Sequence, residues 1–410
     1  MFLFIIIYIV LFDIITVLGI KKSFPQFSSL HQRGIRVAFL IQIFLSLSIV
    51  FIGDFMEHRI RNYNLITLYS YVFGLIVAVY IPKGIYVLFL FIDWGISAIT
   101  RMYRLHFDVF PRESRRIVAK CGFWISIIFV FLMIWGILFG RYNYTVDNVE
   151  ITINELPPAF NGYKIVQISD IHAGSSAWFT NHYKKAVGLI NEQEPNLIVF
   201  TGDMVNNFAE ELNSVIPYFS QLNARDGKYA VLGNHDYGGY FDWSSPVDSV
   251  NNHSAVKRAI EKMGFILLNN QSVIISRYNY DRMGLIGIEN YGLKEHHPKR
   301  GDLVEAMKSV RNIPFKILLS HDPAFWPEKV VDKTDIALTL SGHTHGMQMG
   351  VKFGKKRFGF APMLGTHYWA GLYHVGKQYL YVNSGLGVIG FPGRIGMPPE
   401  ITLITLRKGE

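Results

Sequence analysis

The sequence predicts a chain in two parts, an N-terminal multi-span transmembrane helical region followed by a layered α/β domain. Three observations carry this. The apolar excess is concentrated in the first ~140 residues, the rest alternates short β-branched runs with helically spaced apolar residues, and only a short joint separates them. The expected domains are therefore 1–141 and 142–410.

Half of the 410 residues are apolar and 17% are charged, a balance too apolar for a soluble enzyme of this length. Stretches 2–20, 37–53 and 122–140 each approach the ~20 apolar residues that a bilayer requires. Stretch 65–100 is apolar apart from Asp93 and Pro82-Lys83-Gly84, and reads as one kinked span or as two with a tight turn. Loop charge decides between them. Residues 21–36 hold four basic side chains and 101–120 hold six, whereas 54–64 holds two basic and two acidic. With the basic loops cytoplasmic, one pass over 65–100 is required, which gives four spans in the cell (inner) membrane and an extracytoplasmic C-terminal domain. No small-residue cleavage site follows 2–20, so that stretch is expected to stay as a span. Asp13 and Asp93, inside apolar stretches, are expected as pathway or partner residues, or as acids that lie near an interface or pair inside the bundle.

The net charge of +9 does not indicate nucleic acid. Residues 1–145 hold 14 Lys or Arg against 6 Asp or Glu, and the remainder is balanced at 26 against 25, so the basicity belongs to membrane topology. The single cysteine, Cys121, excludes a disulfide within the chain.

In the second half, apolar runs at 163–168, 197–200, 229–232, 315–319 and 336–340 read as buried strands. Each is followed by a polar segment: Ser169-Asp170-Ile171-His172, Gly202-Asp203, Gly233-Asn234-His235-Asp236, Ser320-His321 and Gly342-His343-Thr344-His345. Ligands just past strand C-termini lie where open α/β sheets place their sites. Carboxylates, an amide and imidazoles in this number suit two divalent cations (Mn, Fe, Zn or Mg) and exclude a thiolate site. Two cations ~3.5–4 Å apart clamp the attacking and leaving oxygens of a displacement at phosphorus. Helical spacing at 181–192, 256–263 and 303–310, strands at 273–276 and 283–288, and an alternating segment at 145–153 complete the domain.

The ordered motifs, with the endings Tyr381-Val382-Asn383-Ser384-Gly385-Leu386-Gly387 and Pro398-Pro399-Glu400-Ile401-Thr402-Leu403, resemble the calcineurin-like metallophosphoesterase superfamily, most of all its membrane-associated bacterial branch. The resemblance implies an α/β/β/α domain with two mixed sheets. It also implies roles: Asp170, His172 and His345 for one metal, Asn234, His321 and His343 for the second, Asp203 bridging, and a bridging hydroxide as nucleophile. His235, beside Asn234, is then left to stabilise phosphoryl oxygens or protonate the leaving group. Protein-phosphatase members carry an acid and an arginine where this chain has Asn206 and Asn207, so protein dephosphorylation is not expected and the partner of His235 is open, Asn206 being one acceptor.

The expected function is a membrane-anchored, two-metal phosphoesterase acting on phosphodiester or pyrophosphate bonds of amphiphilic, lipid-linked or envelope substrates. The alternatives are a UDP-2,3-diacylglucosamine pyrophosphate hydrolase of lipid A biosynthesis on the cytoplasmic face, and a non-catalytic metal-binding membrane sensor. Phe358, Phe360, Tyr368, Trp369 and Tyr373 form either an aromatic lip for such a substrate or packing between the sheets. Arg394 is expected to clamp a phosphate or to serve in a structural ion pair. Lys352, Lys355, Lys356 and Arg357 form a basic cluster that would meet an anionic substrate, a lipid surface or solvent.

Overall fold

The computed structural model describes residues 2–104, 117–278, 280–292, 299–354 and 356–410. Four long helices come first: α1 (Phe2–Ser23), α2 (Ser29–Arg59), α3 (Tyr63–Arg104) and α4 (Ile117–Leu138). By length and composition, helical segments within α2, α3 and α4 are long and apolar enough to cross a membrane. Side chains such as Leu40, Phe44 and Phe131 are 66–70% exposed, as lipid-facing residues are. Stretch 65–100 lies in one unbroken helix, with Pro82 inside it. Much of the basic loop at 101–120 lies outside the described residues.

Inside this helical unit the polar residues find one another. Asp13 of α1 takes an ion pair from Lys83 of α3, and Tyr80 donates to its other oxygen at 2.6 Å. Lys83 also donates to Gln42 of α2 at 2.9 Å. Asp93 pairs with Lys22 at 3.5 Å, so both acids inside apolar stretches are members of pairs. A charge in hydrocarbon is tolerated only with such partners.

The chain divides into Met1–Met56 with Tyr69–Leu138, and Glu57–Leu68 with Phe139–Glu410. The second unit is built on two six-stranded mixed sheets. In the first sheet β1 (Thr145–Ile153), β2 (Lys164–Ile168), β3 (Leu197–Thr201), β4 (Lys228–Val231) and β5 (Ile266–Leu267) are joined by β14, the last strand (Glu400–Lys408), in the order β1-β14-β2-β3-β4-β5. The second sheet contains β6 (Gln271–Arg277), β7 (Asp281–Gly287), β8 (Lys316–Leu319), β9 (Leu338–Ser341), β12 (Gly371–Val375) and β13 (Gln378–Val382), ordered β12-β13-β9-β8-β7-β6. A separate hairpin pairs β10 (Val351–Phe353) with β11 (Lys356–Phe358). The helices are α5 (His182–Asn191), α6 (Ile216–Phe219), α7 (Pro246–Lys262) and α8 (Leu303–Met307).

Ile165, Leu197, Val199 and Val231 of one sheet pack with Leu285, Ile317, Leu319, Leu338 and Leu340 of the other in one apolar core. Strands β2, β3 and β4 run parallel, as do β7, β8 and β9, so the carboxyl ends of both sets open toward one edge of the domain. Buried Gln167 ties the sheets together just beneath that edge, donating to Thr201 Oγ1 at 3.1 Å and to the Ser341 carbonyl at 2.8 Å.

Two predictions follow from this packing. Lys83→Met leaves the Asp13 carboxylate buried without its cation and is expected to cost about 3–5 kcal/mol, with most of the loss recovered in Asp13→Asn/Lys83→Met. Unfolding midpoints in detergent test this, and equal midpoints for the single and double variants would refute it. The second concerns acid. Burial, and then the Arg141 cation, push His182 from 6.5 down to about 3. The unfolded chain therefore takes up a proton near pH 6.5 that the folded domain refuses until about pH 3. This contribution to stability is complete above pH 6.5 and falls by up to about 1.4 kcal/mol per pH unit on acidification through that window. His182→Gln should flatten this slope in pH-dependent unfolding.

Candidate metal centre

Four of the polar segments lie directly beyond the ends of β2, β3, β8 and β9, and the fifth begins two positions after β4, with Leu232 between. Asp170, His172, Asp203, His343 and His345 all adopt positive φ, between 46° and 71°. Left-handed backbone at non-glycine residues is costly, and its concentration on one cluster marks a site whose geometry the surroundings enforce. Glycines let the loops meet. A Cβ at Gly233 would lie 2.2 Å from Asp203 Oδ1, and one at Gly342 would lie 2.3 Å from Asp170 Oδ2.

Three groups of potential ligand atoms lie within 4.8 Å of one another: Asp170, His172 and His345; His172, Asp203 and His235; Asp203, His321 and His343. Asp203 Oδ2 is 3.6 Å from His172 Nε2 and 3.1 Å from His321 Nε2. On one flank, His345 Nε2 stands 3.1 Å from His172 Nε2 and 3.4 Å from Asp170 Oδ1. On the other, His321 Nε2 lies 3.1 Å from both His343 Nδ1 and Asn234 Oδ1. All seven residues expected as ligands are thus brought together.

Outer partners aim the rings. His172 Nδ1 donates to Asn206 Oδ1 at 2.9 Å and His321 Nδ1 to the Thr201 carbonyl at 2.7 Å, so each presents Nε2 to Asp203. Burial, with His235 nearby, lowers His172 to about 3, which keeps its Nε2 an unprotonated lone pair. Burial disfavours a charged His321, but the Asp203 carboxylate outweighs it and raises that imidazole to about 10. Burial would likewise raise Asp203, yet His321 and His235 hold it well below the ordinary carboxylate range. The cluster therefore draws positive charge to the space around Asp203. Its donor set of imidazoles, carboxylates and one amide oxygen fits divalent cations, whose binding would displace the His321 proton.

His235 is half-buried, stacked on Tyr240, and its Nδ1 donates to the backbone carbonyl of Asn206 at 2.8 Å. The partner left open in the sequence is thus the main chain of Asn206, while the Asn206 side chain serves His172. Arg394 corrects an expectation. It is 1% exposed and donates to the carbonyls of Gly387, His345, Met397, Ser384 and Gly385, so it pins loops and offers no donor to a phosphate.

Two buried acids carry work that the motifs did not reveal. Asp236 accepts from the backbone N–H of Asp203, Met204, Val205 and Gly233 at 2.8–3.3 Å. Glu211 accepts from Gly174, Asn206, Asn207 and Phe208 at 2.6–3.0 Å. They hold the loops that present Asp203 and the two Asn206 oxygens. Segments next to the long helices grip the turn after His172: Thr67 donates to the Gly174 carbonyl, and Arg141 donates to Ser175 O at 2.7 Å and Ser176 Oγ at 2.9 Å. Of the basic cluster, Lys352 and Arg357 turn inward to Asp147, and Lys355 lies outside the described residues. Trp369 is buried and Tyr368 and Tyr373 pack on the second sheet's outer core, whereas Phe358 and Phe360 are exposed.

Residues 163–347 match the family described as calcineurin-like phosphoesterase, and residues 1–141 match the probable calcineurin-like phosphoesterase transmembrane domain. An uncharacterized metallophosphoesterase, YkuE of Bacillus subtilis, is 34% identical over 67% of this chain and 90% of its own length. The chain belongs to the calcineurin-like metallophosphoesterases. Another member, a zebrafish (Danio rerio) transmembrane protein with metallophosphoesterase domain, is 29% identical over 79% of the chain and 72% of its own length. A solved dimetal phosphatase from the same fish is distant, 12% identical with a TM-score of 0.33 over 55% of this chain and 88% of its own. As a metallophosphoesterase with a transmembrane domain, the chain is a metal-dependent phosphoester hydrolase associated with a membrane.

Asp236→Asn sets an NH2 group against backbone donors and is expected to cost about 1–3 kcal/mol for each donor left unpaired. Metal content after dialysis against Mn²⁺ should fall with it. Unchanged unfolding midpoint and metal content would refute the role given to Asp236.

Proposed function

We propose that this metallophosphoesterase uses two divalent metals to cleave phosphodiester or pyrophosphate bonds of lipid-linked or envelope molecules. The observation that carries the reading is Asp203 Oδ2 standing between His172 Nε2 and His321 Nε2, at 3.6 and 3.1 Å. Asp170, His172 and His345 would hold one cation, Asn234, His321 and His343 the other, and Asp203 would serve both. Bound there, such cations supply Lewis-acid charge to phosphoryl oxygens and acidify water. His235 keeps its Nδ1 proton on the Asn206 carbonyl, which leaves Nε2 to exchange a proton with the leaving oxygen or to contact a phosphoryl oxygen.

The unbroken α3 and the placement of 57–68, the end of α2 and the start of α3, in the same unit as the candidate catalytic residues support a four-span topology, with the α2–α3 connection and the site on one side. The charge difference between loops supports a reading in which that side lies outside the cytoplasm. Hydrolysis of a diacylated sugar nucleotide at the cytoplasmic face is correspondingly disfavoured, and a C-terminal reporter active in the cytoplasm would restore it.

Purified protein assayed with Mn²⁺ and a chromogenic phosphodiester tests the chemistry. Asp203→Ala is expected to lose metal and activity together. His235→Ala should keep its metal and turn over roughly 10²–10⁴-fold more slowly, the range of a general-acid contribution. Equal hydrolysis by the three proteins would overturn the assignment and favour a metal-binding sensor.

A further inference from the structure

The β10–β11 hairpin and the turn after it carry large apolar side chains that are exposed among the described residues. In the hairpin, Val351 pairs with Phe358, Lys352 with Arg357, and Phe353 with Lys356. Residues opposed in a ladder share a face, so Lys352 and Arg357 point one way and the other four the opposite way. The first pair is tied to the domain: both reach Asp147, and Arg357 also reaches Glu400 at 2.9 Å. On the opposite face Val351, Phe353 and Phe358 are 60%, 80% and 58% exposed, and Phe360, Met363 and Leu364 extend the patch at 66–81%. A soluble domain rarely leaves so many large apolar side chains together in water.

We propose that this face enters the lipid bilayer, seating the candidate metal centre at the membrane surface. Three features select lipid as the occupant. The anchoring Asp147 is the third residue of β1, which begins only seven positions after α4 ends at Leu138, so the hairpin's attachment point lies within ~30 Å of chain from an apolar helix long enough to span. The hairpin begins at Val351, six positions after His345, so whatever it enters lies within ~20 Å of chain from a candidate ligand. Lys356, exposed on the apolar face, suits the anionic headgroup level. A second exposed aromatic pair, Trp178 and Phe179, follows the His172 turn, and the Trp178 indole donates to Asn64 at the start of α3 at 3.2 Å. Loops bearing ligands from both sheets thus lead into apolar tips. Resting on the phosphoesterase reading above, this assigns a substrate class: a phosphoester whose acyl or prenyl tail stays in the bilayer while its phosphate reaches the cluster.

The test uses full-length protein in vesicles containing lipids brominated along the acyl chain. In a Cys121→Ser background an environment-sensitive fluorophore is attached at Phe353→Cys, at Met363→Cys and, for comparison, at Tyr280→Cys. Tyr280 is 89% exposed and precedes β7, at the sheet end opposite the site. Quenching at 353 and 363 at least twofold above that at 280 is expected. Equal quenching at all three positions overturns the proposal, as does label self-quenching between copies without lipid quenching, which would make the face a protein interface. In parallel, Phe353→Ser/Met363→Ser/Leu364→Ser should hydrolyse a water-soluble chromogenic phosphodiester within twofold of the parent. It should lose at least tenfold in kcat/KM on a phosphodiester lipid in vesicles, and equal loss on both substrates counts against the proposal. Lipid quenching in a protein that hydrolyses neither substrate upholds the membrane face and overturns the phosphodiester reading instead.

Discussion

One buried carboxylate sets the terms for the rest of the domain. Asp203 is 1% exposed, carries its charge against burial, and faces imidazole nitrogens. An ionised group in such a place is stable only with positive charge close by, and without metal the His321 proton supplies it. The strained ligand backbone, the close-passing glycines and the acceptors behind His172 and His321 all keep their Nε2 atoms directed at this spot. Asp236 extends the same logic one layer outward. Burial and the Asp203 charge raise it to about 7, and four backbone N–H groups hold it in place. The centre is a nest of carboxylates, each made tolerable by donors that the loops provide.

This arrangement ties the site to the segments that adjoin the membrane helices. The turn Ala173–Ser176 follows His172, and three residues from elsewhere fix it: Glu211 accepts from its Gly174 N–H, Thr67 donates to its Gly174 carbonyl, and Arg141 donates to Ser175 and Ser176. Thr67 lies within α3 and Arg141 just beyond α4, so the boundary at 141–142 expected from hydropathy cuts through the support of a candidate ligand. The compact unit accordingly takes in 57–68 and begins its second segment at Phe139.

Much of the site was legible because its chemistry is written in residue type next to strand periodicity. The runs at 163–168, 197–200 and 229–232 reappear as β2, β3 and β4, and the polar residues past them converge. What stayed hidden depended on partners far away in sequence. Nothing local marks Gln167, in the middle of an apolar strand, as a link between sheets, or tells a loop-pinning Arg394 from a phosphate clamp. Strands β12, β13 and β14 lie outside the apolar runs that mark strands in the sequence, and β13 and β14 overlap the two ending motifs. Helix α7 begins ten residues before the expected 256, since its first half is polar and only the Ser245 cap, accepting from Asp248 N at 3.2 Å, and Pro246 announce it. Apolar spacing sees the buried half of a helix and misses the solvated half.

The two asparagines that set this chain apart from protein phosphatases also bear on its chemistry. An acid at position 206 would orient His235 through a carboxylate and bring a further negative charge beside the phosphoryl oxygens. Here a neutral backbone carbonyl orients the ring, and the freed side-chain oxygen turns to His172. One residue thus aligns both the general acid-base candidate and a metal-ligand candidate, and Glu211 holds its backbone N–H at 2.6 Å. Movement of the 206–211 segment would therefore shift the proton-transfer group and one flank of the metal cluster together, coupling two functions that a separate acidic partner would keep apart.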